Sequence, residues 1–432
     1  MNIQTVTVVG ANGTMGRNVS AIFASFGEAK VYMVCRTEEK AKKAAVQSYQ
    51  SVKAESIQNR LIPATYNELE KCISESDLVF ESVSEDFDIK MSVYEKIKKY
   101  LKTNAIVATG TSGLSIQKLS EIFGNNAHRF FGIHMFNPPY NLSLCELVVH
   151  SDQQKELARE LREYLSNVLG RTVVEVRDSP SFLGNRIGFY FIGEAMRLAN
   201  ENMDQGGIDY IDSILGCFTG RNMSPLATAD FVGLDVTQSI LDYIQDETSD
   251  EFNSSFISQD YLMDLINDNK LGRKTNYGLY HKDRDTGNFY VYDIRQKCYR
   301  LKNEYRFYFA NEMIEYIRTG DYDKAFLLLI EDESHEAVIC KKMLLQYILY
   351  SLKISQEVST DISTCDDAMA TGFSWIPPIA LIEVLGGMGR IKKLAERYLD
   401  DRFVNLVSDE HFLEGVPSHS KYDYRPFLKA KY

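Results

Sequence analysis

The first 180 residues alternate short apolar runs with helical patterns, and this alternation restricts the fold more than any other feature of the sequence. The run Thr5–Val9 is continuous and rich in β-branched residues, as a strand buried on both faces requires. The segment that follows it repeats apolar residues with the period of one helical face. Further strand patterns occur at 30–34, 77–82, 105–108, 129–133, 147–149 and 172–176. Repeated strand–helix units predict a parallel, doubly wound α/β sheet.

A glycine-rich loop joins the first predicted strand to the first predicted helix. Glycines are needed at such a junction where a pyrophosphate approaches the backbone and the helix amino terminus. The loop therefore predicts a Rossmann-like dinucleotide-binding domain, although a glycine-rich turn that binds nothing is the alternative. The loop residues predicted to contact the cofactor are Gly10, Asn12, Gly13, Thr14, Met15 and Gly16.

The second predicted strand ends without a carboxylate. Its last residues are Val34, Cys35 and Arg36. An acidic residue at this position would hold the adenosine ribose of NAD by its hydroxyls. Arg36 could instead lie over the adenine or contact a 2′-phosphate. The predicted cofactor of the glycine loop is NAD, and the absence of a carboxylate at this strand tip leaves NADP open.

One histidine, one carboxylate and an Asn-Pro-Pro turn occur together in residues 132–146. We expect His134 at the end of a strand, facing a cleft, and Glu146 at the start of the returning strand. A carboxylate beside an imidazole fixes its tautomer and makes it a better proton acceptor near neutral pH. The alternative is a buried histidine and an unrelated surface glutamate.

After Pro180 the sequence changes to long helical patterns, beginning at 186–202. A motif that begins at Ser224 recurs in degenerate form from Pro377, which indicates a duplicated helical domain. Turn-forming residues at 271–288 indicate a linker. The predicted domains are a dinucleotide-binding domain at 1–180, a helical substrate or dimerisation domain at 181–285 and a second, degenerate helical domain at 286–432.

Composition narrows the classes of function. The formal net charge of -12 argues against a nucleic-acid partner. No stretch approaches the ~18 apolar residues of a membrane span, and no cluster has metal-ligand spacing, so we expect neither a membrane nor a metal partner. The seven cysteines are dispersed and indicate reduced, mostly buried thiols. The expected location is cytoplasmic.

Together these features resemble the 3-hydroxyacyl-CoA dehydrogenases, including the long form with a duplicated helical domain. The resemblance extends from residue 5 to about residue 390. The family's His-Phe-Phe-Asn-Pro turn matches residues 134–138, and Glu146 follows the histidine at the family's spacing of twelve residues. Two departures concern the cofactor: the glycine loop has one extra residue, and Cys35 replaces the family's aspartate.

The resemblance implies an NAD(P)-dependent oxidoreductase that interconverts (3S)-3-hydroxyacyl-CoA and 3-oxoacyl-CoA, an activity of fatty-acid β-oxidation. It implies that His134 accepts the proton of the 3-hydroxyl group and that Glu146 orients its ring. The other matched residues are Ser112 and Asn185, which would hold the reacting oxygen or its neighbours, and Glu85 and Lys90, which would help hold the nicotinamide half. Because Asn185 begins the helical domain, the site would lie between domains.

Two alternatives stay open beside this activity: a dehydrogenase of a smaller 3-hydroxy acid, and a non-catalytic dinucleotide-binding scaffold. The implied substrate partner is an acyl-CoA. The duplicated helical domain implies either a pseudo-dimer within one chain or a homodimer.

Overall fold

The computed structural model describes residues 1–418 and 422–429, which divide into two compact units. The first unit comprises residues 1–182 together with 358–360, and the second comprises residues 183–357 and the described residues after 360. The boundary predicted at residue 180 lies next to this division.

The first unit is built on an eight-stranded sheet with the strand order β3-β2-β1-β4-β5-β6-β7-β8. Neighbouring strands are parallel except β6 and β7, which are antiparallel. The predicted Rossmann-like doubly wound sheet is therefore confirmed. The strands are β1 (Thr5–Val9), β2 (Lys30–Cys35), β3 (Leu61–Thr65), β4 (Leu78–Glu81), β5 (Ile106–Thr109), β6 (Phe130–Met135), β7 (Leu144–Val149) and β8 (Thr172–Arg177).

Helices cover this sheet and bury their apolar faces on it. Val19, Ile22 and Phe23 of the first helix are completely buried, as its period predicted, whereas Phe26, which the same period placed on this face, is exposed. Burial of such apolar side chains is the main favourable contribution to the stability of the unit. The helices are α1 (Thr14–Ser25), α2 (Glu38–Ser51), α3 (Leu69–Glu75), α4 (Phe87–Lys98), α5 (Ile116–Ser120) and α6 (Lys155–Glu163).

Strand β3 was not predicted from the sequence. It forms the edge of the sheet and pairs only with β2 among the described strands. Pro63 lies in its middle, and proline is tolerated in an edge strand because one side of such a strand donates no ladder hydrogen bonds. The same proline breaks the strand pattern in the sequence.

The second unit is mainly helical. It also contains a three-stranded antiparallel sheet of β9 (Tyr280–Lys282), β10 (Phe289–Asp293) and β11 (Cys298–Leu301). Its helices are α7 (Gly184–Glu201), α8 (Ile208–Ile214), α9 (Pro225–Val232), α10 (Leu234–Glu247), α11 (Asp260–Asn267), α12 (Tyr308–Thr319), α13 (Tyr322–Glu331), α14 (His335–Val358), α15 (Thr364–Gly372), α16 (Pro378–Val384), α17 (Met388–Tyr398) and α18 (Asp401–Ser408).

Part of the segment 271–288, in which the sequence predicted a linker, is a hairpin turn. Residues 283–288 form the hairpin turn between β9 and β10, in which the Asp283 amide donates to the Asn288 carbonyl over 2.9 Å. Turn-forming residues mark hairpins as well as linkers, and only the pairing of the flanking strands distinguishes them. The proposed domain boundary at 285 therefore falls inside a sheet of the second unit.

Two helical segments of the second unit begin with the same arrangement of proline and carboxylate. Helices α9 and α16 both begin with proline in the first turn. The Asp212 carboxylate accepts a hydrogen bond from the Leu226 amide, and the Asp366 carboxylate accepts one from the Ile379 amide, both over 2.9 Å. These matched contacts support the predicted duplication, while its division into separate domains stays a prediction.

The two copies are joined by an antiparallel bridge between Arg221 and Trp375. The buried Arg221 guanidinium lies 4.0 Å from the ring centre of Phe191, 4.8 Å from that of Tyr347 and 5.0 Å from that of Trp375. Burial lowers the pKa of Arg221 to about 10. Attraction between the cation and the aromatic faces offsets part of the cost of burying this charge.

Candidate active site

His134 and Glu146 are direct partners across strands β6 and β7. The antiparallel register pairs the two residues, which places their side chains on the same face of the sheet. The Nδ1 atom of His134 lies 2.6 Å from the Oε2 atom of Glu146, and the exposed fractions of the two residues are 6% and 0%. The predicted position at the strand ends is corrected, because pairing continues to Met135 and Cys145 and encloses both residues within the strands.

Two aromatic rings flank the histidine. The ring centres of Phe136 and Phe182 lie 4.6 Å and 5.8 Å from that of His134. Ser181 and Phe182 have φ angles of +57° and +56°, a conformation that residues other than glycine rarely adopt. This turn therefore positions Phe182 at an energetic cost, as is common beside functional groups. No residue in the described ranges is hydrogen-bonded to Nε2 of His134, so this nitrogen is available to a substrate.

Ser112 is held by a carboxylate from the neighbouring strand end. It follows β5, and its backbone amide and hydroxyl donate to Oε1 of Glu85 over 2.8 Å and 3.2 Å. Burial alone raises the pKa of the Glu85 carboxyl, but the Lys90 ammonium and hydrogen bonds from Thr111 and Ser112 outweigh it and lower that pKa. Glu85 is therefore an anion that connects the loops after β4 and β5.

The Lys90 ammonium forms ion pairs with Glu81 and Glu85. Its Nζ atom lies 2.9 Å and 3.0 Å from the two carboxylate oxygens of Glu81 and 3.3 Å from Glu85. Tyr94 and Thr109 also donate to Glu81, and both members of the Lys90–Glu81 pair are buried. Lys90 is thus placed to fix Glu85, and its contact with the cofactor stays a prediction. Glu81 had no predicted role, because nothing in the sequence shows that its carboxylate pairs with Lys90.

A cleft of about 560 Å³ begins at the glycine loop. Of the residues predicted to bind the cofactor, Gly10, Asn12, Gly13 and Arg36 line it. The loop lies between β1 and β4, where the direction of strand order reverses, and ligands of doubly wound sheets bind at that point. Thr14, Met15 and Gly16 form the first turn of α1 beside it.

The glycines of this loop serve two purposes. A Cβ atom on Gly10 would lie 2.5 Å from the Ser82 carbonyl oxygen, and one on Gly16 would lie 2.6 Å from the Gly10 carbonyl oxygen, so packing requires both. A Cβ atom on Gly13 would meet nothing closer than 3.6 Å, yet Gly13 lines the cleft. A side chain there would occupy ligand space only. Helix α1 also begins without a side-chain cap or an acidic first turn, so these residues fit a dinucleotide pyrophosphate.

Asn185 belongs to the second unit, where it is buried in the first turn of α7. Its contact with a reacting oxygen, and the interdomain site that this contact implies, stay predictions. The structure thus brings together His134 with Glu146, and Ser112 with Glu85 and Lys90, within the first unit.

Three further findings concern metal ligands, membrane spans and cysteines. Among the described residues, no group of three or more His, Cys, Asp or Glu side chains is arranged to hold a metal ion. The described helices include none with the length and apolar character needed to cross a membrane. The cysteines are free, and five are buried as predicted, whereas Cys217 is half-buried and Cys298 is exposed.

Comparisons with known proteins agree with this geometry. Residues 5–179 match the 3-hydroxyacyl-CoA dehydrogenase NAD binding domain, and residues 182–282 match the 3-hydroxyacyl-CoA dehydrogenase C-terminal domain. The mitochondrial hydroxyacyl-coenzyme A dehydrogenase of Sus scrofa is 30% identical over 293 residues, which cover 64% of this chain and 91% of that protein. A probable 3-hydroxyacyl-CoA dehydrogenase of Bacillus subtilis is 28% identical over 75% of this chain and 40% of its own length.

Solved structures share the fold. The (S)-3-hydroxybutyryl-CoA dehydrogenase of Ralstonia eutropha has a TM-score of 0.56 and 29% identity, covering 64% of this chain and 98% of that one. The 3-hydroxybutyryl-CoA dehydrogenase of Escherichia coli has a TM-score of 0.68 and 20% identity, covering 96% and 99%. The chain spans between 40% and 62% of the length of the first four curated relatives that it matches.

Proposed function

The chain belongs to the 3-hydroxyacyl-CoA dehydrogenase family, and we propose that it interconverts (3S)-3-hydroxyacyl-CoA and 3-oxoacyl-CoA with NAD or NADP. The observation that carries this proposal is the enclosed His134–Glu146 pair, whose Nδ1–Oε2 distance is 2.6 Å. The Sus scrofa relative, which is matched over 91% of its length, supports the thioester substrate class.

In this proposal His134 moves the proton of the reaction. Glu146 accepts a hydrogen bond from Nδ1–H, which leaves Nε2 as the nitrogen that takes the proton from the 3-hydroxyl group. The negative charge of Glu146 then stabilises the imidazolium ion, and the rings of Phe136 and Phe182 keep water from the pair.

Ser112 and Asn185 would hydrogen-bond the reacting oxygen or its neighbours. Glu85 holds the amide and hydroxyl of Ser112, so the serine is fixed before the substrate binds. When bound in the cleft, the nicotinamide supplies the hydride acceptor or donor. Such positioning commonly contributes more to rate than the proton transfer itself, which is worth roughly 10²–10⁴-fold.

The test measures absorbance of the reduced nicotinamide with acetoacetyl-CoA and either NADH or NADPH. We expect oxidation by the wild-type chain and almost none by His134→Gln. Equal rates for the two chains at every acyl length would contradict the proposal. Turnover of a free 3-hydroxy acid without the thioester would favour the smaller-substrate alternative, and dinucleotide binding without any turnover would favour a scaffold.

Assembly and location are also part of the proposal. The Arg221–Trp375 bridge between the two helical copies supports a pseudo-dimer within one chain rather than a homodimer. Light scattering should then give a mass near 49.3 kDa, and twice that mass would favour the homodimer. The free thiols are consistent with a reducing compartment, and cell fractionation tests the expected cytoplasmic location.

A further inference from the structure

We propose that the cleft beside the glycine loop binds the 2′-phosphate of NADP(H), so that the chain prefers NADP(H) to NAD(H). This inference rests on the proposed dehydrogenase function, because it specifies the cofactor of the same site. It is carried by the charges that line the end of the cleft beside β2.

The tip of β2 is hydrogen-bonded to the glycine loop. The amides of Gly10 and Ala11 donate to the Val34 carbonyl over 3.0 Å and 3.3 Å, and Cys35, the next residue, lines the cleft. A dinucleotide whose pyrophosphate lies at Gly13 therefore has its adenosine ribose near Cys35 and Arg36. Burial raises the pKa of the Cys35 thiol, so the tip presents no anion to accept hydrogen bonds from ribose hydroxyls.

Three cations line the cleft that contains this position. Arg36, Lys40 and Lys96 all line the cleft and are exposed, and its lining includes no aspartate or glutamate. None of the three forms an ion pair with another described residue. On the same helix as Lys40, by contrast, Lys42 is paired with Glu38. The cleft thus carries an excess of positive charge that the first unit does not neutralise locally.

The arrangement of these cations suits a phosphate monoester. Such a group carries roughly 1.5 to 2 negative charges at pH 7, and NADP(H) has one on the adenosine ribose where NAD(H) has a hydroxyl. A guanidinium such as that of Arg36 can bond two phosphate oxygens and also pack on a flat base. The Lys96 ammonium lies 5.4 Å from the ring centre of Tyr66, which lines the same cleft and offers a surface for the adenine.

Coenzyme A also carries a phosphate on its adenosine ribose. The cleft, however, runs from the glycine loop to the β2 tip, which is the path of the dinucleotide in a doubly wound sheet. The shared chemistry is a ribose phosphate, and the experiment compares the two sources directly.

The experiment measures binding of NADPH and NADH by isothermal titration calorimetry on the full chain, without substrate. We expect wild-type protein to bind NADPH at least roughly tenfold more tightly than NADH, the equivalent of one charge-assisted hydrogen bond. Arg36→Gln and Lys40→Gln should each weaken the binding of NADPH roughly tenfold and change the binding of NADH little. Lys43→Gln, an exposed lysine of α2 outside the cleft lining, is the matched control and should change neither.

Three results would overturn the inference. The first is equal affinity of the wild-type chain for NADH and NADPH, and the second is an equal loss of affinity for both dinucleotides in Arg36→Gln. The third is a loss of affinity for CoA, but not for dephospho-CoA or NADPH, in Arg36→Gln and Lys40→Gln, which would assign these cations to the substrate. Each of these results leaves the dehydrogenase assay with NADH free to succeed, so the two proposals fail separately. If neither dinucleotide binds to folded protein, both proposals fall.

Discussion

The proposed acid–base pair on β6 and β7 and the proposed cofactor-binding residues at the tip of β2 are built in opposite ways. His134 and Glu146 are enclosed, and strand register fixes one against the other. Arg36 and Lys40 are exposed and form no ion pair with a described residue. The proposed proton transfer needs a fixed distance, which strand pairing provides. The proposed choice of cofactor would instead depend on exposed side chains, which can change without repacking the sheet. Substitutions in the two regions should therefore have separable effects.

The largest expected effect is that of His134→Gln. Removal of the proton acceptor should lower kcat by roughly 10²–10⁴-fold, the usual contribution of general acid–base catalysis. The dissociation constants of NADH and NADPH should not change, because the substitution lies away from the cleft lining. Steady-state kinetics and calorimetry measure the two quantities. A large loss of dinucleotide binding would break the separation of the two regions.

A smaller effect is expected for Glu146→Gln, which keeps the shape of the side chain and removes its charge. Loss of a carboxylate that orients a metal-bound imidazole costs roughly 10–100-fold, and we expect a loss of that order here. The substitution should lower kcat with little change in dinucleotide affinity. Glu163→Gln, at an exposed position on the same unit, is the control. Equal activity of the two variants would show that Glu146 does not act on the histidine.

Gly13→Val addresses the other region. The Cβ atom of the new side chain would lie no closer than 3.6 Å to another atom of the chain, and Gly13 lines the cleft, so dinucleotide affinity should fall roughly tenfold while the Tm changes little. Gly16→Ala is the matched contrast, because its methyl group would lie 2.6 Å from the Gly10 carbonyl oxygen and should lower the Tm. A lower Tm in Gly13→Val would mean that this glycine is required by the fold instead.

The smallest expected effect is that of Cys35→Asp, which places the family's aspartate at the tip of β2. A carboxylate there could accept hydrogen bonds from the ribose hydroxyls of NADH, a gain of roughly threefold to tenfold in affinity. The same charge should repel the 2′-phosphate and weaken NADPH binding. Calorimetry with both dinucleotides measures the ratio. An unchanged ratio would show that the β2 tip does not select the cofactor.

Local patterns predicted the sheet well because strand and helix periods are properties of neighbouring residues. Strand β3 was missed because Pro63 interrupts its pattern, and the hairpin at 283–288 was mistaken for a linker because pairing of β9 with β10 is not visible in a turn sequence. Contacts between distant residues were equally hidden. The spacing of His134 and Glu146 gave neither their register nor their burial.

The same limit applies to charges. Lys90 was predicted to meet the cofactor, and only the folded chain shows its ammonium bonded to Glu81. Lys96 is sixty residues beyond Arg36 in the sequence, yet both line one cleft. Whether a charged residue is paired or available depends on the strands and helices that bring distant residues together.

The bridge between Arg221 and Trp375 has a consequence for how the second unit responds to concentration. Arg221 and Trp375 belong to the two helical copies of a single polypeptide, so their pairing is a unimolecular event. Dilution lowers the stability of an interface between separate subunits, but it leaves an intramolecular one unaffected. The joint between the copies should therefore persist however scarce the protein is, and no encounter between chains is needed to form it.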